Sequence, residues 1–294
     1  MTTIDVRSVS RRYGDTLAVD DVSFTVASGT VTGLLGPNGS GKSTLLRRIL
    51  GIDAGPGTAL FDGRPYVALD EPATLAGAVL DASGIHPGLR ARRHLRAVAA
   101  ALRVPARRAD ELLELVDLTH AGAVRARALS LGMRQRLAVA TALVGSPSVL
   151  VLDEPTNGLD PHGVRWLGRF LRGFADRGGT VLMSSHLLSE VEHVADRVEV
   201  IAQGRLVASG TCAEIVRSVA PAVVVARSTE PAALRDALVA RGAAVTLDGA
   251  ELRVRGLGVA DVAAVAKAAP GLLLALSTDE GSLESAYLTI AGAR

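Results

Sequence analysis

The stretch "GPNGSGKST", residues 36 to 44, determines how the rest of the chain is interpreted. It fits the pattern G-x-x-x-x-G-K-S/T and lies between a predicted strand, "TVTGLLG", and a predicted helix, "KSTLLRRILGI". In this setting the pattern predicts a phosphate-binding loop (P-loop), because its glycines let consecutive backbone N–H groups point at phosphates and the helix start adds positive potential. The residues predicted to surround the phosphates are Gly36, Pro37, Asn38, Gly39, Ser40, Gly41, Lys42, Ser43 and Thr44.

Two side chains of this loop have separate predicted roles. Lys42 reaches the β and γ phosphates of a bound nucleotide, and the Ser43 hydroxyl can bind Mg²⁺. The second part of the predicted site is "VLVLDEPTNGLD", in which an apolar strand ends at two acids. Asp153 is predicted to hold Mg²⁺ directly or through water, and Glu154 to act as general base for an attacking water. Two adjacent acids at a strand end can also simply cap a loop, and that alternative stays open.

A histidine completes the predicted site. His186 follows the strand "TVLMSS" and precedes a helix, so a donor at this position can contact the γ-phosphate and the attacking water. Three other histidines lie in or beside predicted surface helices and need no functional role (His94, His120 and His193). The sequence contains no Asn-Lys-x-Asp segment of the kind that reads guanine, which argues against a GTPase.

Composition limits the partners and the compartment. The 294 residues carry a net charge of +2 with dispersed basic residues, so no nucleic-acid partner is expected. The single cysteine, Cys212, cannot form an intrachain disulfide, which favours the reducing cytoplasm. We expect neither a signal peptide nor a membrane span, because the chain opens with charges and its longest uncharged run, residues 22 to 41, is interrupted by glycines and polar residues.

Periodicity along the chain predicts a mainly parallel α/β sheet. The segments "IDVRSVSRRYG" and "LAVDDVSFTVASG" alternate like antiparallel strands, residues 58 to 69 form further short strands, and residues 90 to 143 are helical. The segments "SVLVLDEP" and "TVLMSSH" are buried strands that each precede a helix. We therefore predict an α/β core with an antiparallel strand group in front and a helical insertion at about residues 82–145.

The pattern of predicted strands and helices changes after about Arg217. The remaining segments follow the order β-α-β-β-α-β of a small ferredoxin-like α+β sandwich, and "SLESAYLTIAG" forms a final amphipathic helix. We predict two domains, residues 1–217 and residues 218–294. The second domain offers no catalytic constellation, and we interpret it as an accessory domain for interaction or dimer support.

Four ordered motifs carry a family resemblance. The motifs "GPNGSGKST", "LSLGMRQRL", "LVLDEPTNGLD" and "MSSH" resemble those of the ATPase subunit of an ATP-binding cassette (ABC) transporter. The resemblance covers residues 3 to 217 and implies a P-loop NTPase core of the ABC ATPase type that binds ATP and Mg²⁺. It implies that Tyr13 stacks on adenine, with a strand-edge aromatic as the alternative. It also implies that Glu154 is the catalytic base, that Asp160 lies in a loop crossing between subunits, and that His186 senses the γ-phosphate.

The segment "ALSLGMRQRLAVATAL" begins a second helix whose start is receptive to phosphate and which Ser130 can cap. This helix precedes, in the sequence, the strand that ends at Asp153. Its start is therefore expected to point away from the P-loop of the same chain. The resemblance implies that Ser130 and Gly132 serve the ATP held by Lys42 of another subunit. Each ATP site is then shared across a dimer, formed either by two copies of this chain or by two related chains.

Two positions depart from the family pattern. Where the family usually has a glutamine between the sheet and the helical insertion, this chain has Asp81, whose carboxylate either joins the Mg²⁺ and water network or has no role. In the signature segment, Leu131 and Met133 replace the family's usual glycine and glutamine. The contacts that the glutamine makes to nucleotide therefore do not transfer to this chain.

These departures, together with the C-terminal domain, resemble the bacterial branch that includes antibiotic-export and bacteriocin self-immunity ATPases. The resemblance implies a motor for a separate transmembrane permease, held by it at the inner face of the cell membrane, that exports a drug, antibiotic or peptide. The alternatives are an importer motor and a non-transport ABC ATPase acting on nucleic acid or ribosomes, although the chain has a single P-loop and no extended heptad run. The basic segment "HPGLRARRHLRAV" is either a docking face for a permease helix or a solvated helix face.

Overall fold

A computed structural model describes residues 2–80, 84–219, 223–279 and 283–292. The chain divides into two compact units, Met1–Thr211 and Cys212–Arg294. Among the described residues, no helix combines the length and the apolar character needed to cross a membrane.

The first unit contains most of the secondary structure. In chain order its elements are β1 (Ile4–Tyr13), β2 (Thr16–Val26), β3 (Val31–Leu35), α1 (Lys42–Ile49), β4 (Thr58–Phe61), β5 (Arg64–Pro65), α2 (Pro72–Leu75), β6 (Ala76–Val79), α3 (Ala91–Ala101), α4 (Arg108–Leu115), α5 (Leu131–Ala142), β7 (Val149–Leu152), α6 (Pro161–Asp176), β8 (Thr180–Ser185), α7 (Leu188–Glu192), β9 (Arg197–Ala202) and β10 (Arg205–Gly210). Helices α3, α4 and α5 all lie between β6 and β7, in the segment for which we predict a helical insertion.

The central sheet has six strands in the order β10-β9-β3-β8-β7-β6. Strands β3, β6, β7, β8 and β9 run parallel to their neighbours, and β10 is antiparallel to β9. Parallel strands are covered on both faces, which explains why β7 is the uninterrupted apolar run "VLVL" with every residue buried. The register pairs Leu35 with Ser185 and Leu152 with Met183. The residues that follow β3, β7 and β8 therefore lie at one edge of the sheet, where α/β proteins place their ligands.

A second, antiparallel sheet of order β2-β1-β4-β5 packs in front of the central sheet. Its long strands alternate buried and exposed residues, as a sheet with one solvated face does. One apolar core joins the two sheets through α1, and it includes Ile4, Val22 and Phe24 of the antiparallel sheet, Leu45 and Leu46 of α1, and Leu34, Val151 and Leu182 of the central sheet. This core holds the P-loop against both sheets.

Strand β6 is an edge strand that sequence periodicity does not predict. Its residues, "AGAV", have low strand propensity and no clear alternation. Helix α5 packs on this strand so closely that a Cβ at Gly77 would lie 2.1 Å from the carbonyl oxygen of Ala142. Close packing against α5, rather than side-chain propensity, explains why a glycine stands in this strand.

The second unit contains α8 (Cys212–Val219), β11 (Val223–Ser228), α9 (Pro231–Val239), β12 (Ala244–Asp248), β13 (Glu251–Arg255), α10 (Val259–Ala268), β14 (Leu273–Asp279) and α11 (Leu283–Gly292). Its sheet has the order β12-β13-β11-β14, with antiparallel neighbours throughout, and α9 and α10 cover an apolar core that includes Val224, Leu234 and Val262. The predicted element order β-α-β-β-α-β is therefore observed. Because α8 packs against α11, the compact unit begins at Cys212, earlier than our predicted boundary after residue 217.

Candidate functional site

The P-loop connects β3 to α1 through backbone that only glycine can supply. Gly41 has φ +107°, and a Cβ there would lie 2.3 Å from the carbonyl oxygen of Ala18. A Cβ at Gly36 would lie 2.4 Å from the carbonyl oxygen of Ile201. The first and last glycines of the pattern therefore have no room for a side chain. The loop ends at Lys42, the first residue of α1, so the helix start faces the space above β3.

Lys42 lies at the centre of a polar cluster. Its side chain is buried, and Nζ donates a hydrogen bond of 2.7 Å to the carbonyl oxygen of Gly36. The same Nζ lies 3.2 Å from Oε1 of Glu154, and the other carboxylate oxygen of Glu154 lies 2.7 Å from Nδ1 of His186. The structure thus brings the ends of β3, β7 and β8 together through three side chains that the sequence predicts for catalysis.

The backbone around Glu154 is held in an unusual conformation. Glu154 has φ +46°, a left-handed conformation that is uncommon outside glycine. The hydroxyl of Ser184, on β8, accepts a hydrogen bond of 2.8 Å from the Glu154 N–H and donates one to Oδ1 of Asp153. One hydroxyl therefore orients both predicted acids. Sequence reasoning missed Ser184, because a serine inside a buried strand carries no motif of its own.

Tyr13, at the end of β1, is tied to the P-loop helix. Its hydroxyl donates a hydrogen bond of 2.5 Å to Oδ2 of Asp53, which also accepts one of 3.0 Å from Nε of Arg47 on α1. Hydrogen bonds from Arg47 and Tyr13 lower the pKa of the Asp53 carboxyl below its usual value. The guanidinium of Arg11 lies 4.5 Å from the centre of the Tyr13 ring, and 43% of Tyr13 is exposed. The ring is thus held in place with solvent access, and no sequence motif points to Asp53.

Ser130 and Asp160 each cap a helix. The Ser130 hydroxyl accepts a hydrogen bond of 3.2 Å from the N–H of Met133 at the start of α5, which confirms the predicted cap. Asp160 accepts one of 2.7 Å from the N–H of Gly163 at the start of α6. These hydrogen bonds lie within each residue's own helix start, and the structure does not join either side chain to the cluster around Lys42.

The start of α5 packs against the loop that leads to Asp160. A Cβ at Gly132 would lie 3.0 Å from the carbonyl oxygen of Gly158, so these two segments touch. Gly158 has φ +77°, and a Cβ there would lie 2.2 Å from Cδ2 of Leu131. The leucine that replaces the family's usual glycine is therefore accommodated by a glycine in the facing loop.

The oxygen donors present fit a magnesium ion. Ser43 is exposed at the start of α1, and Asp153 follows β7 at the same sheet edge. Hydroxyl and carboxylate oxygens are the ligands that Mg²⁺ prefers, and this ion usually binds one or two carboxylates together with substrate phosphates. Among the described residues, no group of three or more His, Cys, Asp or Glu could hold a metal ion. Asp81, the third predicted metal ligand, lies outside the described residues.

Comparison with known proteins supports the family. Residues 19–157 match the family described as ABC transporter, and residues 222–284 match a domain of unknown function (DUF8746). The chain is 37% identical over 278 residues to the Nod factor export ATP-binding protein I of Burkholderia orbicola, covering 92% of this chain and 91% of the relative. It is 34% identical over 205 residues to the lantibiotic transport ATP-binding protein SrtF of Streptococcus pyogenes, covering 69% of this chain and 89% of that protein.

A solved structure agrees with the fold. The structure of an ATP-binding subunit of an ABC transporter superposes with a TM-score of 0.66 at 27% identity, covering 73% of this chain and 92% of the other. The family resemblance and the α/β core of the ABC ATPase type are confirmed by these matches. Because the identity to an export ATP-binding protein extends over 92% of the chain, the protein belongs to the ABC transporter family, as an ATP-hydrolysing, ATP-binding subunit of the export branch.

Proposed function

We propose that two copies of this subunit, or this subunit and a related chain, close around ATP and Mg²⁺ and drive a separate permease that exports a drug, antibiotic or peptide. The observation that carries the proposal is the cluster of Lys42, Glu154 and His186 at the carboxyl edge of the central sheet. The names of the relatives, Nod factor export and lantibiotic transport, support export over the alternative of import.

We assign a role to each member of the cluster. Lys42 extends from the P-loop helix and supplies a positive charge for the β and γ phosphates. Glu154 supplies the carboxylate that accepts a proton from an attacking water; its Oε1 lies 3.2 Å from Nζ of Lys42, and His186 holds the other oxygen through a contact of 2.7 Å. When bound, Mg²⁺ neutralises charge on the phosphate oxygens, and Ser43 and Asp153 would hold it.

A shared site explains why the chain has two phosphate-receptive helix starts. The start of α1 carries Lys42, whereas the start of α5 carries Ser130 and contacts the loop before Asp160 instead of the P-loop. A helix start that lies apart from the P-loop of its own chain can serve the nucleotide of a second copy. Asp160, at the base of the same loop, then lies at the junction between subunits.

Mixing two inactive variants tests the shared site. Lys42→Ala removes the P-loop charge, and Ser130→Arg fills the exposed start of α5, so each variant alone is expected to lack ATPase activity. In a mixed dimer, one of the two sites has both an intact P-loop and an intact α5 start. We therefore expect mixing to restore activity that neither variant shows alone. If mixing restores nothing and the wild-type rate per molecule is independent of protein concentration, the shared site is refuted.

The permease is tested separately. We propose that the subunit is held at the inner face of the membrane by this partner, since the family members are subunits of transporters. A membrane protein encoded beside this chain is expected to co-purify with it from detergent extracts and to raise its ATPase rate. A neighbouring membrane protein that neither co-purifies nor changes the rate would contradict the proposal.

A further inference from the structure

A second charged cavity lies apart from the nucleotide site, at the start of α3. Its volume is about 570 Å³. We call it the arginine cavity, after the five arginines that line it together with residues 88–89 and 122–123: Arg90, Arg92, Arg93, Arg96 and Arg125. None of the P-loop residues contributes to it. None of its lining residues is acidic either, so the cavity is strongly positive.

Only part of this charge is compensated. Asp110, on α4, contacts Nε of Arg92 at 2.5 Å and Nη2 of Arg96 at 3.0 Å. Within the described ranges, the side chains of Arg90, Arg93 and Arg125 are exposed and form no ion pair. One carboxylate against five guanidinium groups leaves a surplus of four positive charges around one cavity.

The backbone places two of these arginines opposite each other. Arg90 and Arg125 are opposite partners in an isolated antiparallel bridge. The bridge is secured by hydrogen bonds from Ala91 N–H to the Val124 carbonyl at 3.0 Å and from Ala126 N–H to the Leu89 carbonyl at 2.8 Å. Like charges at directly opposite positions destabilise such a pair. An anion between the two guanidinium groups would attract both of them and so offset their mutual repulsion.

The start of α3 adds to the positive potential. The helix has 11 residues, its N-cap is Arg90, and it has neither a side-chain cap nor an acidic residue in its first turn. Instead, the first turn carries Arg92 and Arg93. Helix starts favour negative charge, so basic residues there are unfavourable unless an anion is present. The helix start, the bridge and the cavity share Arg90, and each of them favours an anion at the same place.

We propose that the arginine cavity binds a phosphate group, supplied either by the headgroup of an anionic phospholipid or by a soluble diphosphate. Guanidinium groups bind phosphate oxygens in pairs of parallel hydrogen bonds, and the start of α3 contributes backbone N–H groups to the same anion. A surplus of four charges suits a ligand with several anionic oxygens, whereas a single carboxylate of an acidic protein segment neutralises only one.

The first experiment measures binding of inorganic pyrophosphate by calorimetry. It uses the full chain with Lys42→Ala, because the P-loop would otherwise bind the same probe. Within that background, the triple variant Arg90→Ala, Arg93→Ala, Arg125→Ala is compared with a matched triple of exposed arginines elsewhere, Arg103→Ala, Arg177→Ala, Arg241→Ala. We expect the cavity triple to weaken pyrophosphate binding at least about tenfold and the matched triple to leave it within about twofold.

The second experiment distinguishes the source of the phosphate. Sedimentation with phosphatidylcholine vesicles is compared with and without phosphatidylglycerol, with the same two triple variants. Capture by phosphatidylglycerol that only the cavity triple loses identifies a lipid headgroup, and pyrophosphate binding without such capture identifies a soluble ligand. Binding of neither probe, or equal losses in both triples, would overturn the proposal. Binding of neither probe, combined with loss of permease co-purification in the cavity triple, would instead identify an acidic protein partner.

A folding control accompanies both experiments. Removing like charges should not destabilise the chain, so the cavity triple is expected to melt at or above the temperature of its parent in dilute salt. Pyrophosphate should raise the melting temperature of the parent but not of the cavity triple. If the triple fails to fold, the single change Arg93→Glu, at an exposed position, replaces it with the same expected loss of binding.

Discussion

Nδ1 of His186 lies 2.7 Å from Oε2 of Glu154, although 32 residues separate the two in the chain. The contact joins the end of β8 to the end of β7, while Oε1 of the same glutamate faces Lys42 of the P-loop at 3.2 Å. One carboxylate thereby connects three strand ends of the central sheet. Hydrolysis is expected to depend on this connection.

Glu154→Gln should bind ATP and lose most turnover. The amide keeps the size of the carboxylate but cannot accept a proton from water. A positioned general base contributes about 10² to 10⁴ in rate, so steady-state ATPase should fall at least about a hundredfold. ATP binding, measured by equilibrium dialysis, should remain within a few fold of wild type. An ATPase rate near wild type would show that Glu154 is not the base.

His186→Ala should also reduce hydrolysis, because Glu154 loses the partner that orients it. We expect a fall in kcat of about tenfold to a hundredfold, with ATP binding preserved. His193→Ala is the matched control, since that histidine is exposed and its Nδ1 contacts only the carbonyl oxygen of Ser189 in the described structure. Equal rates in the two variants would remove His186 from the site.

Ser184→Ala tests the hydroxyl that holds both acids. Loss of its hydrogen bonds frees the Asp153 carboxylate and the Glu154 N–H. Groups that orient metal ligands typically account for about 10- to 100-fold in metal affinity or activity, so the Mg²⁺ concentration at half-maximal ATPase rate should rise by that amount. Ser185→Ala, at the next position, is the control because its hydroxyl contacts Leu187 and Glu190 instead. A Mg²⁺ titration that is unchanged by Ser184→Ala would leave the hydroxyl with no role in orienting the acids.

Asp53→Asn should loosen the Tyr13 ring. The amide weakens both the hydrogen bond from Tyr13 and the ion pair with Arg47. If the ring stacks on adenine, KM for ATP should rise several fold while kcat changes little, and Tyr13→Phe should reproduce this result. Asp70→Asn, at a carboxylate on the surface, controls for the loss of one charge. If Tyr13→Ala leaves the KM for ATP unchanged, Tyr13 does not stack on adenine and is only a strand-edge aromatic.

Glu199 makes stability depend on pH. This residue of β9 is 1% exposed, its Oε1 accepts a hydrogen bond of 3.0 Å from Ser209, and its Oε2 has no partner among the described residues. Burial raises the pKa of the Glu199 carboxyl from 4.5 to about 7. The unfolded chain therefore releases this proton first, and stability present below pH 4.5 is lost as the pH rises to about 7.

Glu199→Gln should remove this dependence. The neutral amide has nearly the same shape, so the variant should be more stable than wild type at pH 8, by up to roughly 3 kcal/mol. Urea unfolding of both proteins at pH 5 and pH 8 measures the difference. Glu114→Gln, at an exposed position of α4, should change stability little at either pH. If the free energy of unfolding of the wild type is the same at pH 5 and pH 8, Glu199 is not a buried, protonated carboxyl.

The place of the proposed catalytic residues was predictable because their setting is local. The P-loop, Asp153, Glu154 and His186 each follow an apolar strand directly, and the ends of parallel strands meet at one sheet edge. The cap at Ser130 was predictable for the same reason, since a helix start depends on the residues next to it. Sequence order and period therefore predicted the fold class and the place of these groups, whereas the nucleotide and the proposed catalytic roles came from the resemblance of the four motifs to the ABC family.

Tertiary packing determined the contacts between residues that are far apart in the sequence. Strand β6 pairs with β7 and leaves room for α5 at Gly77, although "AGAV" does not favour a strand. Ser184 and Asp53 act through hydrogen bonds to residues that lie 30 and 40 positions away. The arginine cavity arises because an antiparallel bridge brings Arg125 opposite Arg90. The sequence alone specified which chemical groups are present, whereas only folding determined which of them face each other, because such contacts depend on distances in space and not along the chain.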